Sequence, residues 1–387
     1  MTTATPRERV RDRVGPHPLL PLIPPALAVV IWLAYVTLSG QWDRILGHWA
    51  SSVTMIFGSF LAGSSPEGGG AVAFPVFTKV LHIGAPVARS FSLFIQAVGM
   101  TMATLAILIT RRTIDVRSVI VGSLAGTAGF VTSVAFLTDR SDPFRSPVIA
   151  APWVKVTFTL LLAAMSLLMY TALKRGEGGL DRVETWNIRV FAGLAVGAFV
   201  GGGLSAFTGT GVNVLLFLFV VVMCGVSPRV GVASSIVTMT VISVTGVVTL
   251  GLFGGQLSTQ LGAEGSVISV GGAAVPGLDA SRFDLFALWL AAVPIVVWGA
   301  PLGTWVVSKV SEHRLVAFVA GLAALEVLTT LVLVEEIRQE PALLAYTVGG
   351  LLLIPPFVRW LAASRHRLLD LPTTPVRTGP VLGTGGS

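Results

Sequence analysis

Two short runs of small and hydroxyl-bearing residues interrupt otherwise apolar stretches: SSPEGGG at 64–70 and SAFTGTG at 205–211. A helix broken inside a membrane leaves backbone groups that no water satisfies. Where a half-helix restarts, at Gly70 or Gly211, free N–H groups and the positive end of the helix dipole point into the break. That arrangement suits an oxyanion without a buried cation, and glycine lets the ligand approach the backbone. The expected binding residues are therefore Ser64, Ser65, Gly68, Gly69, Gly70, Ser205, Thr208, Gly209, Thr210 and Gly211, with Asn213 on the first turn of the second half-helix. Ser92, Gln96, Ser234, Ser235 and Thr238, early in the spans that follow, would complete the cavity. Each has a plainer role: the hydroxyls and the Asn213 amide can cap freed backbone groups, and the span residues can pack or bond back to the preceding turn.

Ionisable residues within apolar segments face a cavity or a partner. Glu67, Lys155 and Glu326 lie furthest from the ends of their segments. Glu67 stands in the first break where the second has neutral Thr208, and it is expected to bind a proton and couple it to transport. The alternative is a permanent ion pair with Lys155 or a neighbouring helix. Lys79 and Arg89 flank the outer end of the first interrupted segment, placed to attract an anion or to snorkel to the interface. His17, His48, His82, His313 and His366 sit in tails or loops with no helical pairing, and Cys224 is the single cysteine. No metal site, cofactor or disulfide is expected.

The elements that must position these residues follow from composition. Of 387 residues 53% are hydrophobic and 12% charged, with a mean hydropathy of +0.83, which excludes an ordinary soluble domain. The net charge of +7 fits basic cytoplasmic loops on a membrane protein rather than nucleic-acid binding. Apolar runs long enough to cross about 30 Å of hydrocarbon occur near 22–38, 86–110, 118–138, 148–173, 228–253, 285–308, 315–334 and 342–361. The first, after Arg7, Arg9, Arg11 and Arg13, reads as a retained signal-anchor. The interrupted segments, 51–81 and 188–225, are too long for one span and too short for two with a turn. Half-helix pairs that enter and leave on one side fit their length, although paired full spans stay open. With both re-entrant, 18 Lys and Arg fall on the cytoplasmic side against 7 outside; with both crossing, the division is 15 to 10. The positive-inside rule favours the first and puts both termini in the cytoplasm. The Gly-rich 254–281 reads as a solvent loop.

The interrupted segments match each other at Ser64 and Ser205, Gly68 and Gly209, and Gly70 and Gly211. Further on, at the cost of one inserted residue, IGAPVARSFS (83–92) resembles GVSPRVGVASS (225–235), with Pro86 on Pro228 and Ser92 on Ser234. Each segment is followed by three spans, an odd number, so the second unit starts on the opposite face. The expected fold is an all-α polytopic membrane protein of two inverted repeats, each a re-entrant helix pair plus three transmembrane helices, with eight full spans in all. Its parts are a tail (1–20), an N-terminal helix (21–40), repeat 1 (50–173), repeat 2 (188–335), a C-terminal helix (342–362) and a tail (363–387). Glycine-rich breaks also serve simple helix packing.

The GGG at 68–70, Pro75, GTG at 209–211 and PRVGVASS at 228–235 resemble the sulfite exporter TauE/SafE family over roughly residues 50–335. PVARSFSL at 86–93, with Arg89 and Phe91, and Glu67 beside the glycines depart from that pattern. The resemblance implies a secondary transporter, usually an exporter, of a small sulfur-containing oxyanion such as sulfite or an organosulfonate. It implies a bacterial cytoplasmic (inner) membrane and partners limited to the anion, the bilayer and a coupling ion such as a proton, with a homodimer left open. The residues themselves also admit a passive anion channel. An intramembrane enzyme has no support from H-E-x-x-H, G-x-S-x-G or Walker-type motifs.

Overall fold

The computed structural model describes residues 19–369 except 82, 141, 143–144, 175–178, 259, 262–266, 271–272 and 275–283. Residues 1–18 and 370–387, and with them His17, lie outside, as does His82. The protein is an all-α polytopic membrane protein. Its helices are α1 (Ile23–Ser39), α2 (Trp42–Leu46), α3 (Trp49–Ser64), α4 (Gly70–Pro75), α5 (Ala85–Ile109), α6 (Val116–Phe136) and α7 (Ala151–Lys174). After these come α8 (Ile188–Thr208), α9 (Val212–Phe217), α10 (Pro228–Gly246), α11 (Leu285–Lys309), α12 (Glu312–Leu333), α13 (Glu336–Gln339) and α14 (Pro341–Leu369). Wide π turns extend α4 over Val76–Val80, α9 over Leu218–Met223 and α10 over Val247–Phe253.

Among the described residues, eight helices are long and apolar enough to cross a membrane. They include α8, which belongs to an interrupted segment. The expected span at 148–173 forms α7 but contributes only a shorter apolar stretch, Pro152–Leu167. The stretch expected to be a plain loop carries a small antiparallel sheet, Gln260–Leu261, Val267–Val270 and Ala273–Ala274 in the order β1-β2-β3. Its central strand is rich in the β-branched residues Val267, Ile268 and Val270, which favour strands. The last helix runs on to Leu369, beyond the expected end at 362.

The helix starts are written in the sequence. Pro86 and Pro228 occupy the first turns of α5 and α10, where a missing N–H costs nothing. Asn187 and Asp284 cap α8 and α11 by accepting from Val190 and Ala287 at 2.8 and 3.0 Å, satisfying donors that the helix leaves free.

Packing fixes the relative directions. Ser51 at the start of α3 donates to the Leu288 carbonyl on α11, and Gly63 near its end lies against Ala300 and Thr304, so α3 and α11 run in the same direction. On the other side α8 runs with α6, with Gly202 against Gly126 and Gly203 beside Ser133. Both seams exclude a side chain: a Cβ on Gly63 would lie 1.9 Å from the Ala300 carbonyl oxygen, and one on Gly129 would lie 1.9 Å from that of Phe199. Close backbone approach of this kind is how helices associate where no hydrophobic effect separates them from lipid. α5 shares the direction of α11, since Trp289 bonds the Phe94 carbonyl and Arg112, just past α5, bonds that of Thr304. The short 110–115 connection then turns α6 back the other way.

The second interrupted segment returns to the end where it began. Leu180, before α8, bonds the Gly225 carbonyl, and Ser227, after the return arm, bonds the Leu180 carbonyl at 2.9 Å. The two breaks are surrounded by the main apolar cluster, which includes Phe91, Phe94, Val212, Phe217 and Val296.

Candidate functional site

The breaks touch. Thr210 Oγ1 lies 2.8 Å from the Glu67 carbonyl oxygen and 3.0 Å from Asn213 Oδ1, within reach of both for its single proton. The chain manages these turns with glycines at positive φ: Gly68 at 75° and Gly209 at 79°, which residues bearing a Cβ rarely adopt.

Gln96, one turn beyond Ser92 on α5, ties the breaks to that span. Its Nε2 approaches the Ser92 carbonyl and hydroxyl and donates to the Gly209 carbonyl at 2.7 Å. Gly68 and Gly70 leave just enough room: a Cβ on Gly68 would fall 2.8 Å from Gln96 Oε1 and 2.9 Å from Asn213 Nδ2, and one on Gly70 would fall 2.5 Å from Ser92 Oγ. Thus Gly68, Gly70, Ser92, Gln96, Gly209, Thr210 and Asn213 form one small constellation.

Its polar inventory is uneven. In the second break the backbone donors are occupied: Gly211 N–H by Asn213 Oδ1, Val212 N–H by Ser205 Oγ and Thr210 N–H by Thr208 Oγ1. Ser205 also donates to the Gly201 carbonyl, and Thr208 Oγ1 is within reach of those of Leu204 and Thr210 for its single proton. The plainer capping role therefore describes Ser205 and Thr208 as the chain stands. Ser65 donates to the Leu61 carbonyl. Asn213 Nδ2, Gln96 Oε1, Ser64 Oγ and Glu67 Oε1 are buried with no hydrogen-bond partner. Unsatisfied buried groups are rare and costly, and two of these, the Gln96 acceptor and the Asn213 donor, lie beside Gly68 where the two broken helices meet.

Of the remaining expected residues, Ser234 and Ser235 are engaged elsewhere, while the Thr238 hydroxyl is buried without a hydrogen-bond partner. Ser234 Oγ accepts from the Asp115 N–H, and Ser235 donates to the Val232 carbonyl. Thr238 faces Gly122 on α6. Glu67 makes no ion pair with Lys155. Its side chain is 1% exposed and lines a cavity of about 150 Å³ shared with Glu326 and Thr329.

Lys79 and Arg89 do not snorkel. Lys79 Nζ is buried 3.1 Å from Glu326 Oε1 and 3.0 Å from Thr330 Oγ1. Arg89 is fully buried, and its Nη1 bonds the carbonyls of Arg145 and Ala206 at 3.0 and 3.1 Å. It thereby joins α5 to the end of α8 and to the α6–α7 connection. A guanidinium with five donors suits such a carbonyl-lined position where an ammonium would not.

The sequence reading counted Arg111, Arg112 and Arg229 only as loop charge. They line the largest cavity described, about 520 Å³, together with Thr110, Asp181 and Ser227, and it reaches Gly63, next to Ser64 at the first break. Burial pushes the Arg112 guanidinium below the ordinary arginine range, because its charge is poorly hydrated there. Near the other end of α6 a cavity of about 330 Å³ is lined by Arg140, Arg145 and Thr249. The clue to both lay in paired basic residues at helix ends; their convergence did not.

No group of residues suited to holding a metal ion occurs among those described. No curated protein and no solved structure matches the chain significantly. The family model for the sulfite exporter TauE/SafE matches residues 51–333, from the start of α3 to the end of α12, and so takes in both breaks and the helices between them. The chain belongs to the sulfite exporter TauE/SafE family of membrane transporters.

Proposed function

We propose that the protein exports a small sulfur-containing oxyanion, sulfite or an organosulfonate, across a bacterial cytoplasmic membrane by alternating access around the two meeting breaks. The observation that carries this is the Asn213 amide nitrogen, buried without a hydrogen-bond partner against Gly68 of the first break. It is a donor without a fixed countercharge, suited to an anion that must be released as well as bound.

The arginine-lined cavity is the entry route from the cytoplasm, with both chain termini on that side. Its positive lining concentrates anions, while Gly63 at its base leads to the Ser64 hydroxyl. The Arg89 bridge closes the opposite side, so this conformation is open inward. α3 running with α11, and α8 with α6, support two inverted repeats whose exchange of arrangement opens the outer side. The return of the second segment to its own starting end supports re-entrant hairpins. Glu67, one carboxyl group without a counterpart in the second break, binds the coupling proton.

The test is flux in proteoliposomes with sulfite, sulfoacetate, sulfate and chloride at several imposed pH gradients. Saturable flux of a sulfur oxyanion that follows the pH gradient supports the reading. Ohmic current without saturation would instead make the protein a channel.

A further inference from the structure

Glu67 points away from the glycine constellation, into the cavity it shares with Leu61, Val72, Pro75, Val76, Leu162 and, on α12, Leu322, Leu325, Glu326 and Thr329. Glu326 is not isolated: its Oε1 receives Lys79 Nζ, with Thr330 and Thr159 hydroxyls at 3.2 and 3.3 Å, and its Oε2 lies 3.5 Å from Thr329 Oγ1. Lys155 on α7 and Glu336 on α13 are the next charged groups, close enough to influence each other and Lys79.

We propose that Glu67 and the Glu326–Lys79 pair form a single intramembrane proton-binding station, separate from the anion site and filled from the side of α12. This rests on the transport reading above. Lys79 is paired with Glu326, and Lys155 and Glu336 carry opposite charges, which leaves the Glu67 carboxylate as the one charge in the set with no counterpart. A proton binding there forms one O–H bond and neutralises the set; its release restores one uncompensated negative charge in a cavity walled, apart from Glu326 and Thr329, by apolar side chains. Such an imbalance inside hydrocarbon is costly, so the loaded and unloaded forms favour different helix arrangements. Lys79 sits on the π turn that continues α4, the arm that leaves the first break. The same short segment therefore links the station to the anion site. A hard metal cation is a poor occupant: it takes about six oxygens, and the ammonium already holds Glu326 Oε1.

Two readouts separate this from the anion reading. Infrared titration of the purified full-length protein reads the protonated-carboxyl stretch with no substrate present. A buried carboxyl band absent in Glu67→Gln and displaced in the charge-balanced Glu326→Gln/Lys79→Met double variant is expected; a band indifferent to both changes overturns the station whatever the protein transports. In proteoliposomes the double variant should keep sulfite exchange but lose sulfite accumulation driven by a pH gradient, down to the level of protein-free vesicles. Wild-type accumulation in that variant, or accumulation driven by sodium rather than pH, overturns the proposal. An intact band pattern with no sulfur-oxyanion flux in the wild type would overturn the anion reading instead. If the double variant is not recovered folded, Glu326→Asp, which keeps the charge and shortens the reach, must displace the band; an unmoved band counts against the station.

Discussion

The hydroxyl of Thr210 lies 2.8 Å from the carbonyl oxygen of Glu67, so the second broken helix rests directly on the backbone of the first. Thr210→Val removes that contact with little change of shape. A buried hydrogen bond of this kind is worth about 0.5–1.5 kcal/mol, and the variant should melt a few degrees lower in detergent. If the meeting of the breaks is the anion site, its transport should fall by more than its stability.

Gly70 tests the steric argument. A Cβ there would meet Ser92 Oγ at 2.5 Å. Gly70→Ala is expected to reach the membrane and to lose most flux, and Gly70→Ala/Ser92→Ala should recover part of it by removing the colliding oxygen. Normal flux in Gly70→Val would mean the ligand does not approach this backbone.

Asn213→Asp places an acceptor, and a negative charge, where the buried amide donor now stands. Uptake assays should show a KM raised at least as much as in Asn213→Ala, whose lost donor is worth about 1–3 kcal/mol. Equal KM values for wild type and Asn213→Asp would place the anion elsewhere.

Arg229 lines the wide cavity and bonds only the Val310 carbonyl at 2.8 Å among the contacts described. If that cavity gathers anions, Arg229→Gln should slow flux at low ionic strength and leave it nearly unchanged at high salt, where charges beyond about 10 Å are screened. A loss independent of salt would mark a structural role.

Single-cysteine labelling in a Cys224→Ala background tests the orientation. Arg117→Cys, at the start of α6, should be inaccessible to an impermeant reagent in intact cells and accessible in inverted vesicles. The opposite pattern removes the inward-open assignment.

Much of this was legible before any coordinates. Length and hydropathy located the spans, and SSPEGGG and SAFTGTG located the breaks, because a hydrocarbon environment allows few reasons for such runs. Partners far apart in the chain were not legible. Arg89 reads as an interfacial cation, yet its carbonyl partners are 56 and 117 residues away; Lys79 finds Glu326 across 247. Ser234 illustrates a different limit. Its match to Ser92 is one of sequence, but Asp115 uses the hydroxyl to anchor the start of α6, whereas Ser92 faces the breaks. Equivalent positions in two halves need not inherit equivalent neighbours.

The two glycine seams also set an order of assembly. α8 finds its partner α6 in the chain that precedes it, so that seam closes as soon as α8 emerges. α3 must wait for α11: Ser51 and Leu288 are 237 residues apart, and until then the flat face around Gly63 has only lipid to meet. Contacts of such long separation form late, and surfaces left open during synthesis are where membrane chains misassemble. The first interrupted segment, which carries Glu67, is therefore made early and finished last, so a truncation before α11 would leave the α6–α8 seam built and α3 holding an uncovered groove.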